Sequence, residues 1–329
     1  KEAIDVFALN LKPLLMQPPV RDKVVMGIDP GYRTGCKVAV IDETGKLLDY
    51  TTVYQTEPQN KVDETKELVR TLIYKYKIDI IAIGNGTGSR ETEMVVADII
   101  NNLDRQVFYT IVNEAGASVY SASEVGQEEF PELDVSIRGA ISIARRLQDP
   151  LAELVKIDPK HLGVGQYQHD LNEKKLDEAL KGVVEDSVNT VGVDLNIASP
   201  SRLQYVAGIT TKVAANIVEY RENVGKFKSR EELKKVKGLG PKTFTQCAGF
   251  LRIPDGLDPL DNTAVHPESY DIARKLMEID FDNMDLKELA QQLNVGMLTL
   301  KDIMDEIKKP GRDPRDEMPK PIFRQDVLK

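Results

Sequence analysis

Between Lys23 and Asp42 two β-branched runs flank an aspartate and a Pro-Gly turn, and the rest of the chain is organised around that stretch. Val24 to Ile28 leads into Asp29-Pro30-Gly31, and a second run, Cys36 to Ile41, begins a few residues later. Apolar runs broken by turn residues predict two strands of a hairpin, with Asp29 on the rigid end of the first. A carboxylate there, facing a glycine-containing turn, suits a divalent metal or a phosphate. The same residues also make an ordinary turn in which the aspartate bonds its own backbone.

The flanking sequence sets this hairpin in an α/β pattern. Residues 1–21 carry Ile4, Phe7, Leu11 and Leu15 at helical spacing and end at Pro18-Pro19, which reads as the tail of a helical region lying before Lys1. Glu43-Thr44-Gly45 turns into a third strand, about Leu47 to Tyr54. A helix follows from Asp63 to about Lys77, with Leu68, Leu72 and Ile73 on one face. Ile78 to Ile83 is a continuous apolar run, the mark of a strand buried on both faces. It empties into Gly84-Asn85-Gly86-Thr87-Gly88-Ser89, followed by a helix. Val107 to Val112 is a fifth strand ending at Asn113-Glu114, and a last helix runs from about Ile137 to Leu147.

Three strands in a meander, then helix, strand, helix, strand, helix, is the order of the ribonuclease H-like fold, and this part of the chain resembles a YqgF-type domain. Gly27-Ile-Asp-Pro-Gly-Tyr-Arg-Thr-Gly-Cys-Lys37, Asn113 through Ser123 and Arg138 through Pro150 closely resemble the bacterial Tex family of transcription accessory proteins. Gly163 to Asp170 and Leu260 to Tyr270 match it too. The fold class expected is therefore an α/β ribonuclease H-like (YqgF) domain, then an all-α tandem helix-hairpin-helix and a small helical region. The boundaries expected are 1–21 for the helical remnant, 22–155 for the YqgF-like domain, 156–256 for the hairpin region, 257–309 for the small helical domain and 310–329 for a linker. The resemblance implies an OB-fold RNA-binding domain beyond that linker, and Lys1 reads as a fragment boundary.

Two helix pairs carry the hairpin resemblance. The first spans Ser201 to Asn216 with its turn at Gly208-Ile209-Thr210, and the second spans Ser229 to Phe244 with its turn at Gly238-Leu239-Gly240. Glycines there let the backbone approach a phosphate, and the N–H groups at the next helix start receive its oxygens. The candidate nucleic-acid-binding residues are Gly208, Thr210, Lys212, Lys237, Gly238, Gly240 and Lys242. Arg221, Lys226, Lys228, Arg230, Lys234 and Lys235 surround them, a basic patch on a chain of net charge -9. That overall charge argues against gross electrostatic capture of nucleic acid, so any such site is local. The competing reading makes the paired hairpins a scaffold for protein contact.

Nuclease chemistry on this fold needs three or four carboxylates gathered around two metal ions. Asp29 supplies the first, and the resemblance makes Glu114 the second. Where the last helix should present a third, the sequence reads Ile137-Arg138-Gly139, and the exit at Gly84-Asn85-Gly86 carries no glutamate. Asp134 and Asp149 are the substitutes at hand, the latter at the wrong end of the helix. The expectation is a degenerate nuclease with Asp29 and Glu114 as its remnant, no catalytic residue, no metal and no cofactor. An active metal-dependent, structure-selective nuclease is the alternative, and nucleotide binding at the loops after Asp29 and Gly84 is a third reading. His161, His169 and His266 show no metal-ligand spacing, although His169-Asp170 reads as a contact between domains. Two cysteines far apart, Cys36 and Cys247, fit no metal or redox pattern and make a reducing cytoplasm the default. No apolar run approaches the ~20 residues of a membrane span. The partners expected are nucleic acid, RNA before DNA, and the transcription machinery, with no membrane.

Overall fold

The computed structural model describes residues 2–55, 61–163 and 172–327. It divides into two compact units, Lys1–Val183 with Arg315–Lys329, and Val184–Pro314. The match at Gly163 to Asp170 falls, after its first residue, outside the described residues, as does the contact expected of His169 and Asp170.

The first unit opens with α1 (Glu2–Leu15) and then builds a five-stranded sheet from β1 (Val25–Asp29), β2 (Cys36–Ile41), β3 (Leu47–Val53), β4 (Ile80–Gly84) and β5 (Phe108–Val112). The strand order is β3-β2-β1-β4-β5. The meander pairs antiparallel, with Asp29 opposite Lys37, and β4 and β5 add parallel to β1. This is the ribonuclease H-like sheet expected from the element order.

Each face of the sheet is covered by helices whose apolar stripes match it. On one face, α2 (Val62–Tyr76) and α3 (Ser89–Asn101) bring Val69, Ile73, Val96 and Ile100 against Met26, Val38 and Ile81. On the other, α6 (Val135–Gln148) packs Ile137, Ala140, Ile141 and Ala144 against Val25, Ala39 and Ala82. Gly27 permits that closeness, since a Cβ there would overlap the Ala140 carbonyl oxygen. The short helices α4 (Ala117–Ala122), α5 (Glu124–Glu129) and α7 (Pro150–Leu154) flank α6. Residues 117–129 carry too few periodic positions to be seen as helices in the sequence.

Residues 315–327, inside the stretch read from sequence as a linker, return to this first unit. Arg315 is buried and pairs with Asp149 at 2.6 Å. Arg324 and Tyr109 exchange both backbone hydrogen bonds, at 2.8 and 2.9 Å, on the outer edge of β5.

The boundary between the units falls inside α8 (Glu173–Val191). In the second unit β6 (Val193–Asp194) pairs with β7 (Leu251–Arg252), bracketing the two hairpins. The first hairpin is α9 (Pro200–Leu203) and α10 (Thr211–Val224). In the second, a 3-10 run at Arg230–Lys235 takes the place of the expected first α-helix, and α11 (Pro241–Cys247) follows. Beyond it α12 (Tyr270–Met277), α13 (Leu286–Leu293) and α14 (Met297–Lys308) close their own small core around Leu276, Leu289 and Leu300.

Candidate functional site

In the first unit, β1, β4 and β5 run parallel, so their C-terminal ends open on one edge of the sheet. Asp29 ends β1 and Glu114 follows β5 on that edge. Their charges meet: the Asp29 carboxyl is raised to about 6, by burial first and then by Glu114, with Lys37 opposing. Burial also raises Glu114, against the Gly86 N–H that donates to it and the nearby Arg146. The Glu114 carboxylate lies back over the β4 exit. A Cβ on Gly84 would overlap its Oε2, and one on Gly86 would overlap its Oε1. The glycines of this turn therefore make room for the protein's own carboxylate. Asn85 completes the arrangement by accepting from the Glu114 N–H at 3.1 Å.

Of Ile137-Arg138-Gly139, the stretch where a third acid is expected, Gly139 lies beside Asp29. A Cβ there would sit 3.1 Å from Asp29 Oδ2, with no other neighbour within 4 Å. Arg138, read from sequence as a cation standing near the acids, turns away. It is buried, and its guanidinium donates to the carbonyls of Phe130 and Ser121 at 3.0 Å each. Asp134 caps α6 through the Ser136 N–H at 2.9 Å, and Asp149 caps α7 through the Ala152 N–H while holding Arg315. Both candidate substitutes are thus structural. No group of three or more acids, histidines and cysteines able to hold a metal ion occurs among the described residues.

In the second unit the hairpins seat on one another reciprocally. Gly208, at φ 81°, sits against the Gln246 side chain of α11, where a Cβ would come within 2.6 Å. Gly238, at φ 82°, faces Asn216 and Val213 of α10. Both turns need the left-handed conformation that glycine adopts freely. Asn216 locks the pairing by donating to the Lys237 carbonyl at 2.8 Å. Thr210 caps α10 through the Val213 N–H at 3.2 Å. Gly240 caps α11 with no side-chain hydrogen bond, Pro241 stands at the first helical position, and a Cβ on Gly240 would meet open space. Lys212, Lys237 and Lys242 are exposed beside these turns. All seven candidate residues thus lie on the two turns or the helix starts that follow them.

The basic patch is smaller than the sequence suggests. Arg230 is 1% exposed, and its guanidinium donates to the carbonyls of Leu251, Val265 and Thr263 and to the Tyr270 hydroxyl. Arg221 is half-buried on the Leu195 carbonyl, and Lys234 pairs with Glu231 at 2.7 Å over the Phe244 ring. Lys226, Lys228, Lys235, Lys237 and Lys242 remain at the surface.

Arg146 carries no signal of its own in the sequence. It lies buried on α6, donating from Nη1 to the carbonyls of Asn113 and Ala115 at 2.9 and 2.7 Å, while Nε and Nη2 have no partner. Burial lowers its guanidinium to about 10, offset in part by the charges of Glu153 and Glu114.

Comparison with known proteins agrees with this layout. Residues 23–148 match the Tex protein YqgF-like domain, residues 188–252 a helix-hairpin-helix motif and residues 258–315 an HHH domain. "Protein tex" of Bordetella pertussis is 50% identical over 99% of this chain and 43% of its own length. "Transcriptional accessory protein Tex" of Neisseria gonorrhoeae is 48% identical over 99% of this chain and 44% of its length. The human "S1 RNA-binding domain-containing protein 1" is 39% identical over 100% of this chain and 40% of its length. The chain thus spans less than half the length of these relatives. Matched by the YqgF-like model and then by the two helix-hairpin-helix models, and about half identical to proteins named Tex, it belongs to the Tex family.

Proposed function

We propose that this chain is the nucleic-acid-binding core of a transcription accessory protein, with a YqgF-like domain that is a degenerate nuclease serving as scaffold. One observation carries the reading: two glycine turns, each seated on the other hairpin's second helix, with the Gly240 helix start uncapped by any side chain and Lys237 and Lys242 exposed beside it. Backbone N–H groups at a helix start, with ammonium groups alongside, suit phosphate oxygens. Such contacts position a nucleic acid without reading its sequence.

RNA is the first partner we assign, DNA the second; the relatives' names support both transcription and RNA. The cytoplasm is the setting, a reading supported by Cys36 and Cys247, both buried and free. No helix among the described residues is long and apolar enough to cross a membrane. The nucleotide-binding reading loses ground because the Glu114 carboxylate already lies over Gly84 and Gly86, where a phosphate would be held.

The test is Lys242→Glu, with binding of single-stranded RNA and of duplex DNA followed by fluorescence anisotropy from low to moderate salt. We expect weaker binding to all sequences alike and a salt slope flattened by about 1 unit. The same change at Lys12 should do little. Unchanged affinity and slope for Lys242→Glu would favour the protein-scaffold reading instead.

A further inference from the structure

In the second unit a cavity of about 420 Å³ lies where the end of β6, the end of α10 and the loop after β7 meet. Its lining includes Ile197 and Val224, large apolar side chains that are nonetheless 75% and 65% exposed. The walls are preformed. Asn196 holds both backbone groups of Phe227, donating to the carbonyl at 3.0 Å and accepting from the N–H at 2.7 Å. The Phe227 ring stacks on Tyr220 at 4.9 Å, and the Leu257 N–H donates to the Lys228 carbonyl at 2.8 Å.

Charged residues of both signs line this cavity, Asp194 and Asp255 with Lys226 and Lys228. The two carboxylates feel one another: burial, and with it the Asp255 charge, raises the Asp194 carboxyl against the Asn196 N–H, Arg202 and Arg221. Those arginines are engaged with backbone carbonyls, Arg202 with Gly192 at 3.2 Å and Arg221 with Leu195 at 3.1 Å. Asp194 accepts from the Asn196 N–H at 2.9 Å, and neither it nor Asp255 forms an ion pair among the described residues. An ionised carboxylate only accepts hydrogen bonds, and an ammonium only donates them. A phosphate alone would therefore meet two like charges here, and so would a lone basic side chain. The complementary ligand carries N–H donors, an anionic group and an apolar body together.

We propose that this cavity is a guanine-nucleotide site, with the base against Ile197 and Val224, its N1–H and N2–H edge on the Asp194 and Asp255 carboxylates, and its phosphate on Lys226 and Lys228. Among the four bases only guanine offers two adjacent N–H donors on its pairing edge, the pattern an acceptor-only carboxylate selects. A preformed concave pocket with a few convergent polar groups is the usual form of a small-ligand site. It is distinct from the hairpin turns: Gly208-Ile209-Thr210 precedes α10, and Val224 ends that helix about 20 Å along its axis.

The test titrates GMP, IMP and AMP into the whole chain, read by calorimetry and by NMR shifts of the Ile197 and Val224 methyl groups. GMP should bind about tenfold tighter than IMP, which lacks the N2 amine, the margin of one hydrogen bond to a charged acceptor. AMP, whose N1 accepts, should bind more weakly still. The RNA pentamers UUGUU and UUIUU separate the two sources of the ligand. Preference for guanine within the strand assigns the site to RNA, and preference among the mononucleotides alone assigns it to a free nucleotide. Asp194→Asn keeps an oxygen for the Asn196 N–H and should bring GMP and IMP within about twofold of each other. Lys226→Glu should weaken all three nucleotides, and Lys242→Glu, at the hairpin turn, should leave them unchanged. If Asp194→Asn fails to fold, judged by thermal melting, Ile197→Ser at its exposed position should still weaken GMP. Equal affinity within both the GMP–IMP and the UUGUU–UUIUU pairs would overturn the proposal, as would Ile197 and Val224 methyls that neither GMP nor UUGUU moves.

Discussion

Asp29 and Gly139 face each other across the sheet edge, and the missing Cβ at 139 leaves Asp29 with Glu114 as its acidic neighbour. Two carboxylates crowded together and partly buried resist ionisation, and the Asp29 carboxyl is raised to about 6 from 3.8. Because the folded chain holds this proton after the unfolded chain has lost it, stability falls as pH rises from about 4 to 6 and the penalty is fully present above that. Asp29→Asn removes the ionisable group. It should leave stability near pH 3.5 unchanged and raise it by about 1–3 kcal/mol at pH 8. Thermal melting of both proteins across that range checks the prediction. A variant less stable than the wild-type at pH 8 would mean that Asp29 is engaged by a cation instead.

At the scale of elements, the 3-10 run Arg230–Lys235 is tied to the segment 251–270 chiefly through the Arg230 side chain. The Arg230 guanidinium satisfies the carbonyls of Leu251, Val265 and Thr263, and the Asp261 carboxylate accepts its backbone N–H at 3.2 Å. Arg230→Met would leave those carbonyls buried without donors, at a cost of about 3–5 kcal/mol. Arg230→Lys should recover less than half, since an ammonium cannot fork to several acceptors. Urea unfolding followed by probes in each unit should show the second unit's transition moving and the first unit's staying. The sheet and its helices are legible in the sequence because period-2 and period-3.6 apolar patterns reach the core directly, from Met26 to Leu147. The two hairpin turns are legible through Gly208, Gly238 and Gly240. Arg230 is not, because an arginine among lysines and glutamates carries no local sign of burial; carbonyls some 20–35 residues away decide it. Arg146 is hidden in the same way. The return of Arg315 and Arg324 to the first unit is concealed by a polar, proline-rich stretch that locally resembles a linker.

For the whole molecule, the first unit holds Asp29 and Glu114 and the second unit Lys237 and Lys242, so the roles proposed for them can be tested separately. Cleavage on the two-metal plan requires enough negative charge to strip water from each Mg²⁺. On the degenerate-nuclease reading proposed above, Asp29 and Glu114 alone supply too little of it, since Gly139 beside Asp29 carries no side chain and Asp134 and Asp149 cap helices. We therefore expect no cleavage of single strands, duplexes or four-way junctions by this chain with Mg²⁺ or Mn²⁺. Binding, measured in the same samples, should persist without either metal. Asp29→Asn should leave affinity within about twofold, because neutralising one carboxylate removes a single weak long-range repulsion that salt screens beyond ~10 Å. Lys242→Glu should lower affinity while leaving the pH dependence of stability set by Asp29 unchanged. Gel assays read cleavage, and anisotropy reads binding. Metal-dependent cleavage that disappears in Asp29→Asn would restore the nuclease reading, and the remnant would then have to recruit its missing charge from the nucleic acid's own phosphates.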